Sequence, residues 1–235
     1  IDAGNLRNAI AREGSATITV AADKEDALCD LINKLGDAMR FEFRTTEPDA
    51  TISIKPTQLP QSIIADETTH KLVDALLACA HGVLSMSREI PNFVETSTNL
   101  ASVKIQGSNI IITTSQRSSV TSAKQAAAQK LEATFRLIGA TVEHTGGYPG
   151  WTPNPESRIL KVAVDTYKQL QHHDPIVRAI HAGLECGLIG EKYPKMDMIS
   201  YGPTLRGVHA PGERIEIKTV QIFWDLTLAI LKALK

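Results

Sequence analysis

The pattern of apolar and polar positions along the first 145 residues predicts strands mixed with amphipathic helices. Residues 15–22 alternate as a strand does, and residues 23–39 repeat their apolar positions at helical spacing behind Asp23, a suitable N-cap. Further predicted elements are a helix at 66–84, two strands within 94–119 joined by a hairpin turn at 107–109, a helix at 123–139 closed by glycine, and a strand at 140–145. Residues 45–61 are interpreted as a loop with a short strand at 51–54. This order predicts a sheet with helices on one face.

The composition changes at residues 146–157, GGYPGWTPNPES, which are rich in glycine and proline. Such a stretch is typical of a linker or a rigid loop, so we place a domain boundary there, between domains at 1–145 and 146–235. The second domain is predicted to contain helices at 157–171, 184–193 and 219–235 and strands at 176–183 and 196–203. Elements in this order are typical of half of a doubly wound domain. The predicted fold class is therefore α/β, with an α+β layer followed by part of a doubly wound sheet.

Charge and cysteine content exclude several classes of protein. The chain has 25 basic and 26 acidic residues and a formal net charge of -1, without charge blocks, which argues against a nucleic-acid partner. Its 3 cysteines form no CxxC pair and indicate neither a disulfide framework nor a zinc knuckle, so a reducing compartment fits best. The most apolar run, at 72–86, is shorter than the roughly 20 residues that cross a bilayer and is interpreted as a buried helix.

Residues typical of an active site are concentrated between 181 and 213. His209 lies in a loop stiffened by Pro203 and Pro211, where it is either a ligand or general base at the end of a sheet or an exposed loop histidine. His181 and Glu185 are four apart, but the intervening Gly183 breaks the helix that a metal-binding HExxH pair needs. Gly183 is either a turn residue or a place where a ligand approaches bare backbone.

Two polar residues outside that stretch are also candidates. Arg117 ends a predicted strand, and an arginine that reaches a cleft from such a position is suited to a bidentate hold on a carboxylate. The alternative is a solvated arginine. Asn8 lies near the start of the chain, in GNLRNAIARE. The sequence contains no nucleophile elbow, phosphate-binding glycine loop or dinucleotide fingerprint.

Several segments resemble, in order and spacing, the aminoacyl-histidine dipeptidases. The segments are GNLRNAIARE, VETSTNLASV, GGYPGWTPNPES, HAGLECGLI, YPKMDMISYGPTLRGVHAPGE and the last helix with Trp224. Members of this family are cytosolic metallopeptidases that hydrolyse Xaa-His dipeptides such as carnosine. The resemblance implies a two-zinc catalytic α/β domain and an inserted ferredoxin-like lid that also forms the homodimer, with the boundary near Gly146 as the return from the lid to the catalytic domain.

The resemblance also implies roles for individual residues. His209 matches the last zinc ligand, Gly183 a backbone contact to substrate, and Asn8 and Arg117 the residues that hold the terminal carboxylate and the scissile carbonyl. None of the matching segments contains a catalytic acid or base. The other zinc ligands and the glutamate base of the family belong to an N-terminal half that precedes the point where this sequence begins, at Ile1.

The leading hypothesis is therefore the C-terminal portion of a cytoplasmic, zinc-dependent Xaa-His dipeptidase, whose partners are a dipeptide, a second copy and the missing N-terminal part. We expect this chain alone to be inactive, because a catalytic zinc needs about three protein ligands. One alternative is a non-catalytic binding or dimerisation module that retains the lid fold. Another is a self-sufficient enzyme that holds one metal with His181, Glu185 and His209.

Overall fold

A computed structural model of the chain describes residues 1–147, 149–151, 154, 156–178, 185–208 and 212–235, and its fold is mixed α/β. The helices are α1 (Glu25–Phe43), α2 (Asp66–Ala78), α3 (Thr121–Leu137), α4 (Arg158–Gln171), α5 (Glu185–Lys192) and α6 (Ile217–Ala233). The strands are β1 (Asp2–Gly4), β2 (Gly14–Ser15), β3 (Gly82–Met86), β4 (Val94–Gln106), β5 (Asn109–Ser118), β6 (Leu205–Arg206) and β7 (Arg214–Ile215). None of the described helices is both long and apolar enough to cross a membrane.

Strand β4 is the centre of a five-stranded antiparallel sheet. The whole length of β5 pairs with one of its edges, from Thr96 opposite Ser118 to Gln106 opposite Asn109. The other edge is shared, because β3 pairs with the first half of β4 and β1 with the second half. Strand β2 continues the sheet beyond β1, while β6 and β7 form a separate hairpin.

Helices α2 and α3 cover one face of this sheet. Ala75 and Cys79 from α2 and its end, with Leu131 and Phe135 from α3, form a buried cluster against which Leu100 of β4 and Ile112 of β5 pack. Side chains alternate between the two faces of a strand, so Asn99 and Arg117 lie on the opposite face. We call this face, away from α2 and α3, the open face. The helices thus supply the core and leave the open face for other contacts.

Helices α4 and α6 pack together in the second half of the chain, where Thr166 of α4 and Ile230 of α6 are buried. The Ser157 hydroxyl caps α4 by accepting from the Leu160 N–H at 3.0 Å, a typical N-cap bond. The segment that follows α5 is held to α6 by the Tyr201 hydroxyl, which donates to Thr227 Oγ1 at 3.0 Å.

Several predicted strands are wrong. The predicted strand at 15–22 is reduced to Gly14–Ser15, and residues 51–54, 140–145 and 196–203 form no strand. A strand requires a hydrogen-bonded neighbour, and among the described residues these segments pair with none. The predicted strand at 176–183 lies partly outside the described residues.

Two helix predictions also need correction. The helix predicted at 66–84 ends at Ala78, because Cys79 is extended at ψ 116° and Gly82 takes φ 94°, and β3 then begins. A short apolar run of this kind has no periodicity that separates a helix from a buried strand. Asp23 does not cap α1, since it lies inside a 3₁₀ turn, Ala22–Lys24, that precedes the helix.

Candidate functional site

A loop between β1 and β2 carries Asn8 to the open face of the sheet. We call residues 5–13 the β1–β2 loop. The loop begins after Gly4, whose φ of 67° favours glycine and whose Cβ, if present, would collide with the Ala101 carbonyl oxygen. Its base is closed by the Gly4 N–H, which donates to the Glu13 carbonyl at 2.9 Å. A glycine at the end of β1 is therefore required for the loop to turn back toward β4.

An ion pair fastens the strand that precedes this loop. Lys104 of β4 donates to the Asp2 carboxylate of β1, and this hydrogen bond and charge hold the pKa of Asp2 below its usual range. Both side chains lie near the surface, so the pair orients β1 more than it stabilises the fold.

The structure brings together the two predicted site residues that it describes. Arg117 Nη2, near the end of β5, donates to the Asn8 carbonyl oxygen at 3.3 Å, although the two residues are 109 positions apart. A guanidinium has five N–H donors. Among the described residues, Arg117 has no carboxylate partner. The charge of Arg117, beside Asn8, is therefore not neutralised by a carboxylate within the described part of the chain.

A residue absent from the sequence predictions, Asn99, completes this arrangement. Its Nδ2 donates to the Ala9 carbonyl at 2.7 Å and to the Arg7 carbonyl at 3.4 Å. Asparagine is depleted in strands, so its presence inside the long strand β4 was the signal that could have identified it. Asn99 and Arg117 together bind three consecutive carbonyls of the β1–β2 loop.

Gly150, in the predicted boundary segment, lies against the end of β5. A Cβ on Gly150 would stand 2.8 Å from the carbonyl oxygens of Ser118 and Ser119, at the end of β5. On its other side the segment meets α5, where a Cβ on Gly187 would stand 2.6 Å from the Pro149 carbonyl oxygen. Close backbone approaches at both glycines bring α5 to the end of the strand that carries Arg117.

The predicted zinc ligand His209 and the predicted substrate contact Gly183 lie outside the described residues, as does His181. Glu185, the remaining member of the self-sufficient metal hypothesis, opens α5. Within the described part of the chain, no three His, Cys, Asp or Glu side chains are grouped so that they could hold a metal ion. These residues therefore do not fit a metal site by themselves, and no hydrolytic step through a metal can be assigned to them.

Comparison with known proteins gives two close similarities. The chain is 36% identical over 229 residues, 97% of its length, to the cytosol non-specific dipeptidase of Escherichia coli (strain K12). It superimposes with a TM-score of 0.83 on the crystal structure of the aminoacylhistidine dipeptidase from Vibrio alginolyticus, at 37% identity and over 99% of its own length. The chain is homologous to these dipeptidases. No protein-family model matches it.

The homologues are about twice as long as this chain, which spans 47% of each. The homology confirms the resemblance found in the sequence motifs and the mixed α/β fold class. The roles of Asn8, Arg117, Gly183 and His209 and the domain boundary at residue 146 remain predictions.

Proposed function

We propose that these 235 residues are the lid-bearing, C-terminal portion of a cytosolic, zinc-dependent dipeptidase that cleaves Xaa-His dipeptides. Residues 1–145 belong to the lid and residues 146–235 to the C-terminal segment of the catalytic domain. The observation that carries this proposal is the hydrogen bond between Arg117 and the Asn8 backbone, which joins two residues expected to hold substrate. The names of both homologous enzymes support a dipeptide as the substrate, and the name of the Escherichia coli enzyme supports the cytosol as the compartment.

Arg117 binds the terminal carboxylate of the dipeptide in this proposal. A planar guanidinium matches a carboxylate in bidentate geometry, and such charge-assisted bonds are stronger than neutral ones. Asn8, next to it on the β1–β2 loop, offers an amide to the scissile carbonyl. A dipeptidase must select substrates whose free carboxylate lies one residue beyond the scissile bond, and the bond from Arg117 to the Asn8 backbone keeps the two proposed contacts close together.

In this proposal the metal ligands come partly from these 235 residues and partly from another part of the enzyme. His209 supplies one ligand, and the backbone at Gly183 contacts substrate. The other ligands and the catalytic base come from a part of the enzyme outside these 235 residues, which agrees with the 47% coverage of both homologues. The described residues contribute substrate contacts and no metal group of their own.

Two surfaces support the proposed partners. Within the described part of the chain, the outer edge of β5 has no neighbouring strand, and an exposed edge of this length favours pairing with another chain, as in a homodimer through the lid. Helix α6 exposes a continuous apolar stripe at Ile217, Val220, Trp224, Leu228 and Leu231. Such a stripe is typical of a face that another part of the protein covers.

A substrate series tests the proposal in the intact protein. We expect cleavage of several Xaa-His dipeptides, including β-alanyl-histidine, with little turnover of a tripeptide that ends in histidine, because an added residue separates the scissile bond from the carboxylate bound by Arg117. Equal cleavage of the tripeptide would contradict the proposed carboxylate contact. Absence of any dipeptide hydrolysis, in a sample whose bound zinc has been measured, would favour the non-catalytic binding module.

A further inference from the structure

Asn99 on β4 is unusual because its amide nitrogen and its amide oxygen differ in their hydrogen bonding. Its Nδ2 donates to two carbonyls of the β1–β2 loop, whereas its Oδ1 is buried and has no partner among the described residues. A buried acceptor without a partner costs free energy, and asparagine is a poor strand residue. A residue that is unfavourable for the sheet in both respects points to a role outside stability.

We infer that Asn99 is a positioning residue that holds Asn8 for the substrate. The carbonyls of Arg7 and Ala9, which Asn99 binds, flank Asn8 on both sides, and Arg117 binds the Asn8 carbonyl between them. Two side chains from neighbouring strands thus restrict the peptide groups around Asn8. The inference rests on the proposed function, in which the side chain of Asn8 contacts the dipeptide.

The predicted effect of replacing Asn99 follows from the populations of the conformations that the β1–β2 loop can adopt. Asn8 is exposed, and the turn around it has one internal backbone bond, from the Ala9 N–H to the Leu6 carbonyl at 3.1 Å. Without the bonds from Asn99 the loop samples other conformations, and the apparent affinity for substrate falls in proportion to the competent fraction. The loss of substrate affinity should therefore raise KM, while kcat changes little.

Two variants separate this role from general stability. Asn99→Leu has similar size and removes both the Nδ2 bonds and the unpartnered Oδ1, so the fold should survive the change. The matched control is Gln116→Leu on the adjacent strand β5. The Gln116 amide donates to the hydroxyls of Thr98 and Thr114, at 3.4 and 2.9 Å, and makes no bond to the β1–β2 loop.

The experiment measures amide hydrogen exchange of residues 5–13 and steady-state kinetics on β-alanyl-histidine in the intact protein. We expect Asn99→Leu to accelerate exchange in the loop and to raise KM roughly fivefold to tenfold, the equivalent of one or two hydrogen bonds. Gln116→Leu should leave both unchanged. In combination with Asn8→Ala, Asn99→Leu should add no further rise in KM, because it acts through Asn8.

Unchanged loop exchange in Asn99→Leu would overturn the inference. An unchanged KM in Asn99→Leu, together with a raised KM in Asn8→Ala, would also overturn it, while the substrate role of Asn8 would stand. If Asn8→Ala itself leaves KM unchanged, the proposed function is wrong at Asn8 and the inference falls with it. The Asn8→Ala variant therefore tells the two failures apart.

Discussion

Three single residues restrain the conformation of the β1–β2 loop. Gly4 allows the turn out of β1, Asn99 binds the carbonyls on either side of Asn8, and Arg117 binds the carbonyl between them. Sequence motifs identified Asn8 and Arg117 through their resemblance to a dipeptidase family. Asn99 was not identified. An asparagine inside a strand is an unusual local feature, but the contacts that suggest its role are with residues about 90 positions away.

Replacement of Arg117 by lysine should selectively weaken recognition of the substrate carboxylate. Arg117→Lys retains the charge but loses bidentate geometry, so we expect kcat/KM for a Xaa-His dipeptide to fall roughly tenfold to a hundredfold. The same variant should discriminate less between the dipeptide and its C-terminal amide than the native protein does. Arg136→Lys, on the exposed face of α3, is the control and should change neither value. A fall in kcat/KM with unchanged discrimination would assign Arg117 to a contact other than the carboxylate.

A side chain at Gly4 should destabilise the protein more than one at Gly107. Both glycines have similar φ, 67° and 61°, but a Cβ at Gly4 meets the Ala101 backbone whereas nothing surrounds one at Gly107. Gly107→Ala should therefore cost only the conformational penalty, about 1–2 kcal/mol. Gly4→Ala adds a steric clash worth about 1–3 kcal/mol. Urea unfolding of both variants measures the difference, and equal losses would contradict the tight approach of β1 to β4.

At the scale of elements, helices were predicted better than strands. The bounds of α3, α4 and α6 lie within a few residues of the apolar periodicity that predicted them, because a helix closes its hydrogen bonds within its own segment. Residues 140–145 and 196–203 carry the right composition for strands but have no partner strand among the described residues. The hairpin of β4 and β5 was predicted correctly, since its partner strand and its turn lie in one continuous stretch.

The start of α4 should make stability dependent on acid pH. The Asp197 carboxylate accepts a hydrogen bond from the Ser157 hydroxyl and another from the Ile159 N–H at 3.0 Å, and these bonds lower the pKa of Asp197. A carboxyl whose pKa is lower in the folded state contributes stability above its unfolded pKa of about 3.9, and loses it as the pH falls through the folded value.

Asp197→Asn should therefore lower stability at pH 7 and reduce the loss of stability as the pH falls below about 5. Thermal unfolding across that range measures both effects. Asp225→Asn is a suitable control, because the Asp225 carboxylate accepts from Gln221 within its own helix and is not at a helix start. An acid transition identical to that of the native protein would exclude Asp197 as its source.

At the scale of the whole molecule, the apolar stripe on α6 is a surface that this chain leaves uncovered in its described parts, whereas the β1–β2 loop lies on part of the open face. Trp224 is 55% exposed and Ile217 is 81% exposed, on the side of α6 away from the buried Ile230. Composition and motifs predicted the mixed α/β fold class, which is confirmed, while the site residues that they indicated remain predictions. They did not predict which faces would remain open, because that depends on the packing of elements distant in the sequence.

Trp224 offers a direct probe of the uncovered stripe. The substitution Trp151→Phe leaves Trp224 as the single tryptophan of these 235 residues. In this background we expect the isolated chain to show red-shifted tryptophan fluorescence that acrylamide quenches readily. If further parts of the enzyme contribute tryptophans, they should be replaced as well. In the proposed dipeptidase further residues cover α6, so the intact protein should then show blue-shifted emission that resists quenching by acrylamide. Identical emission from both samples would mean that this stripe faces solvent.

The measurement that tests the central claim most directly compares the intact protein with residues 1–235 alone, for bound zinc and for hydrolysis of β-alanyl-histidine in the same samples. If these residues are one side of a dipeptidase active site, the intact protein binds zinc and cleaves the dipeptide, whereas the isolated chain does neither. Zinc binding and comparable turnover by the isolated chain would contradict the account, and would mean that these 235 residues hold a complete site.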